Sequence, residues 1–206
     1  MKIAVFVSGG GTNLQAIIDN TKDGILKDVE IVLVLSSSKN AYALERAANN
    51  GIPSAVVSRK DFDSVEAWDN AVVEAVDKSG AELIVLAGYL SLLGPKIVSK
   101  YSNRIINIHP ALIPSFCGAG MYGIRPHKAA LAKGVKVSGA TVHFVNENYD
   151  EGPILLQKAV DVLPDDTPET LQKRIMQECE WKLLPQAIRL IADGRVVIEN
   201  NICRIR

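Results

Sequence analysis

Lys2-Ile3-Ala4-Val5-Phe6-Val7-Ser8-Gly9-Gly10-Gly11-Thr12-Asn13-Leu14-Gln15 is the stretch that decides how this chain folds. A short, continuous apolar run, the mark of a strand covered on both faces, passes through three glycines into a segment with helical periodicity. The alternation continues downstream. Residues 29 to 35, 54 to 57, 82 to 87 and 104 to 108 read as further buried strands, and residues 12 to 20, 41 to 50 and 64 to 78 as helices between them. Ser64 suits a helix N-cap, and Gly51 and Gly80 suit helix stops. Strands and helices alternating at this length require right-handed βαβ crossovers. The predicted fold class is therefore α/β: a doubly wound, mostly parallel sheet with helices on both faces, its ligands beyond the carboxyl ends of the strands. After residue 137 the pattern changes to longer strands at 138 to 145 and 154 to 162, with a long helix over 167 to 193. A small hairpin closes the chain, Val196-Val197-Ile198-Glu199 and Ile202-Cys203-Arg204-Ile205, turning at Asn200-Asn201.

The glycines between the first strand and the first helix let backbone N–H groups approach an anion, and the helix N-terminus adds a favourable dipole, so a phosphate fits there. Two commoner uses of such a loop fail on the residues. A dinucleotide fingerprint needs a third glycine where Leu14 stands and an acidic residue where Ser36-Ser37-Ser38 close the second strand. A phosphate loop of the Walker type needs Gly-Lys-Ser/Thr, and none is present. A tight turn with no ligand is the ordinary alternative.

With 206 residues, 48% of them apolar, the chain can bury one substantial core as one or at most two domains. Lys plus Arg and Asp plus Glu both total 23, so the overall charge advertises neither nucleic acid nor an anionic membrane. Cys117, Cys179 and Cys203 are odd in number and form no Cys-x-x-Cys pair, which favours reduced thiols over disulfides or a zinc site. The apolar start is too short for a signal peptide, and no apolar run approaches a membrane span.

A second stretch carries chemistry. Asn107-Ile108-His109-Pro110 ends the strand at 104 to 108, and residues two apart on a strand share a face, so Asn107 and His109 point the same way. Pro110 biases its predecessor toward extended geometry and ends the strand soon afterwards. An amide beside an imidazole suits acyl transfer, one polarising a carbonyl oxygen and the other moving a proton near neutral pH. The plain alternative is a pair that satisfies loop backbone. Asp150 lies in a segment, 146 to 153, whose composition reads as a solvent-facing turn. Were it to approach His109, its charge would raise the histidine pKa. His143 alternates with Thr141 and Val145 and reads as a hydrogen-bonded structural histidine, while His127 follows Pro126 at a helix entry and receives no role. The three histidines lack metal-ligand spacing. Glu180 has Met176, Leu183 and Leu184 at i−4, i+3 and i+4, which places a carboxylate on an apolar helix face, where it wants a partner. Residues 86 to 95 stay apolar past Gly88, as core or as the wall of a flat pocket.

Together, Asn107-Ile108-His109-Pro110-Ala111-Leu112-Ile113-Pro114, Ser138-Gly139-Ala140-Thr141-Val142-His143-Phe144-Val145 and Asp150-Glu151-Gly152-Pro153 resemble the folate-dependent formyltransferases. Adding Ser8 to Gln15 narrows the resemblance to the glycinamide ribonucleotide formyltransferases of purine synthesis, over nearly the whole chain. The resemblance implies a single formyltransferase domain over 1 to 206, with a Rossmann-like phosphate-binding half (1 to 100) and a catalytic, folate-binding half (101 to 206). It implies catalytic roles for Asn107, His109 and Asp150, and ribonucleotide contacts from Gly10, Gly11, Thr12, Asn13 and Glu180, or Glu178 if the alignment is anchored on Gln177. It assigns the folate to Leu90, Ser91, Leu92, Leu93, Asn107, Asn146, Glu147, Asn148 and Tyr149. The co-substrate would be 10-formyltetrahydrofolate, with no metal, no nucleic acid and no membrane, in a cytoplasmic monomer or homodimer. Val65 and Ser91 stand where some members carry arginines, Trp181 where a histidine is common, and Cys117 opens an unusually long connection through Arg125. A 10-formyltetrahydrofolate hydrolase would share Asn107, His109 and Asp150 but would have no use for the glycine loop. A non-enzymatic nucleotide-binding module of the same fold is the alternative outside enzymes.

Overall fold

Strand β1 (Lys2–Val7) buries every residue after Lys2, as its unbroken apolar run requires, and delivers the chain to the glycine bend at one end of a parallel sheet. A computed structural model describes all 206 residues and divides them into two compact units, Met1–Ile106 and Asn107–Arg206.

In the first unit α1 (Thr12–Lys22), β2 (Glu30–Ser36), α2 (Tyr42–Asn49), β3 (Ser54–Val56), α3 (Val65–Ser79), β4 (Leu83–Leu86), α4 (Pro95–Lys100) and the start of β5 (Ile105–His109) follow in order. The strand order is β3-β2-β1-β4-β5, and β1 pairs in parallel with both β2 and β4, as β2 does with β3. Right-handed crossovers carry β1 to β3 in one direction and β3 to β5 in the other, so α1 and α2 fall on one face and α3 and α4 on the opposite face. The reversal between β1 and β4 is the switch point where such sheets open a crevice. Local signals act as read: Ser64 Oγ accepts from the Ala67 N–H at 3.0 Å, and Gly80 ends α3 in the left-handed conformation. Asp69, buried in α3, accepts from the N–H groups of Lys96 (2.7 Å) and Ile97 (3.2 Å) and so caps α4 across the chain. A side chain at Gly94 would collide with that carboxylate.

In the second unit the end of β5 neighbours β6 (Val137–Phe144), which pairs antiparallel with β7 (Ile154–Asp161). Helix α5 (Arg125–Lys133) precedes them. The long helix expected over 167 to 193 is α6 (Pro168–Ile175), a π-helical turn (Met176–Glu180) and α7 (Trp181–Ala192), with Pro185 inside the last. Hairpin β8 (Val196–Glu199) and β9 (Ile202–Ile205) turns at Asn200 and Asn201, both at positive φ. No helix is long and apolar enough to cross a membrane.

Candidate active site

The second unit gathers Asn107, His109, His143 and Asp150. Asn107 and His109 project from the same face of β5, and the Asn107 amide nitrogen lies 3.2 Å from His143 Nε2 on the adjacent β6. His143 Nδ1 is 2.9 Å from the Phe144 carbonyl, and His109 Nε2 is 2.9 Å from the Phe116 carbonyl. A carbonyl only accepts, so each of those nitrogens carries its proton, and in the neutral ring the other nitrogen is a lone pair. His143 Nε2 thus faces both the Asn107 amide and the Asp150 carboxylate. Neutral His109 presents an open Nδ1.

Asp150 faces inward, which corrects the reading of residues 146 to 153 as a merely solvent-facing turn. Its Oδ2 accepts from the Gly118 N–H at 2.8 Å and stands 3.8 Å from His109 Nδ1, while its Oδ1 stands 3.5 Å from His143 Nε2. The turn folds this way because Gly152 passes against the Phe144 carbonyl, where any side chain would collide. Both residues whose atoms flank the His109 ring, Phe116 (φ 52) and Asp150 (φ 53), adopt the left-handed backbone that costs a non-glycine residue on the order of 1 kcal/mol.

Burial alone would raise the Asp150 carboxyl, but contact with His143, the Gly118 N–H and the neighbouring His109 together hold it below the ordinary carboxylate value. For His109 the balance runs against expectation. Burial outweighs the Phe116 carbonyl and Asp150, so the imidazole sits below its ordinary value rather than above it. It is therefore neutral at pH 7. His127, at 0% exposure with neither ring nitrogen in reach of a protein partner, is pushed down to about 4 by burial and then by the charge of His109.

The remaining second-unit candidates divide by exposure. Glu180 is buried at the end of the π-helical turn whereas Glu178 is exposed, so an inward carboxylate is offered only by the former. Glu147, Asn148 and Tyr149 are exposed, and Asn146 turns the loop by accepting from the Asn148 N–H at 3.0 Å.

In the first unit the glycine bend ends in Gly11 (φ 69, ψ 32), which caps α1 with no side-chain hydrogen bond. Gly10 is exposed, Thr12 half-buried and Asn13 buried. Beyond β4, Tyr89 packs edge-on against Phe6 with ring centres 5.2 Å apart, and burial pushes its phenol up to about 12. It anchors a segment whose Leu90 (55%) and Leu92 (60%) are exposed while Ser91 and Leu93 are half-buried, so this apolar run is surface and not simple core. The Leu90 N–H donates to Ser8 Oγ at 2.8 Å, joining the segment to the residue that opens the glycine bend.

A family model described as formyl transferase matches residues 1–188. The chain belongs to the formyl transferase family. It is 43% identical to the chloroplastic phosphoribosylglycinamide formyltransferase of Arabidopsis thaliana, over 95% of this chain and 66% of that protein. It is 38% identical to the phosphoribosylglycinamide formyltransferase of Haemophilus influenzae, over 98% of this chain and 92% of that one. The crystal structure of glycinamide ribonucleotide transformylase 1 from Symbiobacterium toebii superposes with a TM-score of 0.93 at 43% identity, over 100% of this chain and 93% of that one. The chain thus spans just under two thirds of the plant relative's length and nearly all of the bacterial one's.

Reading the sequence of this formyl transferase missed three parts of the cluster: His143, the Phe116 carbonyl and the Gly118 N–H. The one signal pointing to His143 was its place on the strand face it shares with Thr141, whose hydroxyl donates to the Ala111 carbonyl at 2.7 Å just past His109. Backbone partners leave no signature in residue type.

Proposed function

We propose that the chain transfers the formyl group of 10-formyltetrahydrofolate to the amine of glycinamide ribonucleotide. The observation that carries this reading is the meeting of Asn107, His109 and Asp150, set by three hydrogen-bonded partners, in a chain whose β1 ends in a glycine bend suited to phosphate. Asn107 and His109 stabilise the oxygen of the formyl carbon as the amine attacks and the C=O electron pair moves onto it. The neutral resting state of His109 fits this sequence: the lone pair on Nδ1 takes up the proton that the attacking amine loses, the imidazolium so formed lies beside the oxyanion, and it then donates that proton to the departing folate nitrogen. Asp150, held ionised, stabilises the imidazolium and, through water, relays the proton of the attacking amine to His109. Gly10, Gly11, Thr12 and Asn13 hold the ribonucleotide phosphate, and Glu180 receives the polar end of the same molecule. Leu90, Ser91, Leu92, Leu93 and Asn146, Glu147, Asn148 and Tyr149 hold the folate.

Mixing the protein with 10-formyltetrahydrofolate, with and without glycinamide ribonucleotide, tests the reading. Folate product should form only when the ribonucleotide is present. Release at the same rate without it would replace the transferase with a hydrolase, and no release at all would leave a binding module.

A further inference from the structure

Helix α2 dictates which way the peptides of the glycine bend face. The Ala43 N–H donates to the Gly9 carbonyl at 3.1 Å, and Arg46 Nε donates to the Gly10 carbonyl at 2.8 Å. In a planar trans peptide the carbonyl and the next residue's N–H point in opposite directions. Pulling both carbonyls toward α2 therefore turns the N–H groups of Gly10 and Gly11 away from it, a pair of adjacent donors of the kind that forms an anion nest. The seating is close. A Cβ on Gly11 would stand 2.6 Å from the Ala43 Cβ. Arg46 is itself held: its Nη1 donates to Gln15 Oε1 at 2.9 Å, and its guanidinium carbon lies 5.1 Å from the Tyr42 ring centre. With these two contacts fixing the far end of the side chain, Nε is left aimed at Gly10.

We infer that Arg46 is a positioning residue for phosphate recognition, orienting the Gly10 and Gly11 peptides through its Nε–H rather than acting as a counter-charge. The inference rests on the reading of the glycine bend as a phosphate cradle. It separates two properties of arginine that usually travel together. Glutamine carries its side-chain nitrogen the same number of bonds from the backbone as Nε, with no charge, while methionine has similar length and no donor.

Kinetics of Arg46→Met and Arg46→Gln provide the test. Arg46→Met is expected to raise the ribonucleotide KM about tenfold, the scale of one lost hydrogen bond, with kcat and the folate KM within about twofold of wild type. Arg46→Gln is expected to recover the ribonucleotide KM to within about threefold of wild type. An unchanged KM in Arg46→Met, or an Arg46→Gln as weak as Arg46→Met, would overturn the assignment, the second by showing that charge is what matters. Titrating inorganic phosphate while following the amide NMR signals of Gly10 and Gly11 keeps this separate from the proposed activity. Shifts in the wild type that need about tenfold more phosphate in Arg46→Met support the inference even if no formyl transfer occurs. A wild type whose two amides ignore phosphate removes it.

Discussion

At the end of β1 the donors come from backbone, and three glycines with one arginine behind them set their direction; at the end of β5 they come from side chains that four separate segments bring together. Gly9 to Gly11 occupy consecutive positions and lean on a helix that begins some thirty residues later. Asn107 and His109 depend on His143 from β6, on the Phe116 carbonyl, and on Asp150, which in turn depends on Gly118. A backbone site is specified by what its residues lack, and substituting it adds bulk. A side-chain site is specified by what its residues carry, so substitution there removes chemistry.

That contrast can be broken or sharpened, and the largest effect belongs to the side-chain site. Asn107→Ala removes one donor to the developing oxyanion and should lower kcat about 10²- to 10³-fold, roughly 3 to 4 kcal/mol, with the ribonucleotide KM little changed. A variant that loses ribonucleotide affinity and keeps its turnover would place Asn107 in binding, and the contrast would lose one side.

The next effect concerns stability. His127 has a folded pKa depressed from 6.5 to about 4. The unfolded chain therefore binds the proton more tightly, so the stabilisation is complete above about pH 6.5 and is lost as pH falls toward 4. At about 1.4 kcal/mol per unit this amounts to roughly 3 kcal/mol, and the downward shift of His109 adds to it with the same sign. Denaturant unfolding followed across that range should show the wild type losing stability steeply and His127→Asn less so. Parallel slopes for the two proteins would mean that the buried imidazole does not titrate in this way.

Smallest is the expected effect of adding bulk at the backbone site. Gly11→Ala forces a left-handed residue against Ala43 and should weaken ribonucleotide binding by about 1 to 3 kcal/mol while leaving the folate KM in place. Equal losses for both substrates, measured by varying each at saturation of the other, would deny that the bend serves one of them.

Much of this architecture is legible from residue order alone. The parallel strands, the Ser64 cap, the Gly80 stop and the Asn200-Asn201 hairpin turn all depend on contacts within a few residues, or on burial that periodicity reports. Legibility ends where distant parts meet. The helix read as one piece over 167 to 193 contains a π-helical turn, because apolar spacing does not distinguish a slightly widened turn from a regular one. That turn ends at Glu180, which is buried as its regular helical spacing to Leu183 and Leu184 already indicates. The downward shift of His109 escaped for a related reason: Asp150 was visible as a charge, whereas burial is a property of everything packed around the ring.

The central claim is that Asp150 belongs to the reacting cluster with Asn107 and His109, and kcat of a folded Asp150→Asn variant tests it most directly. The account expects turnover to fall at least about 10²-fold, with unfolding behaviour near neutral pH close to that of the wild type. Turnover within a few-fold of wild type in a well-folded Asp150→Asn protein would contradict it.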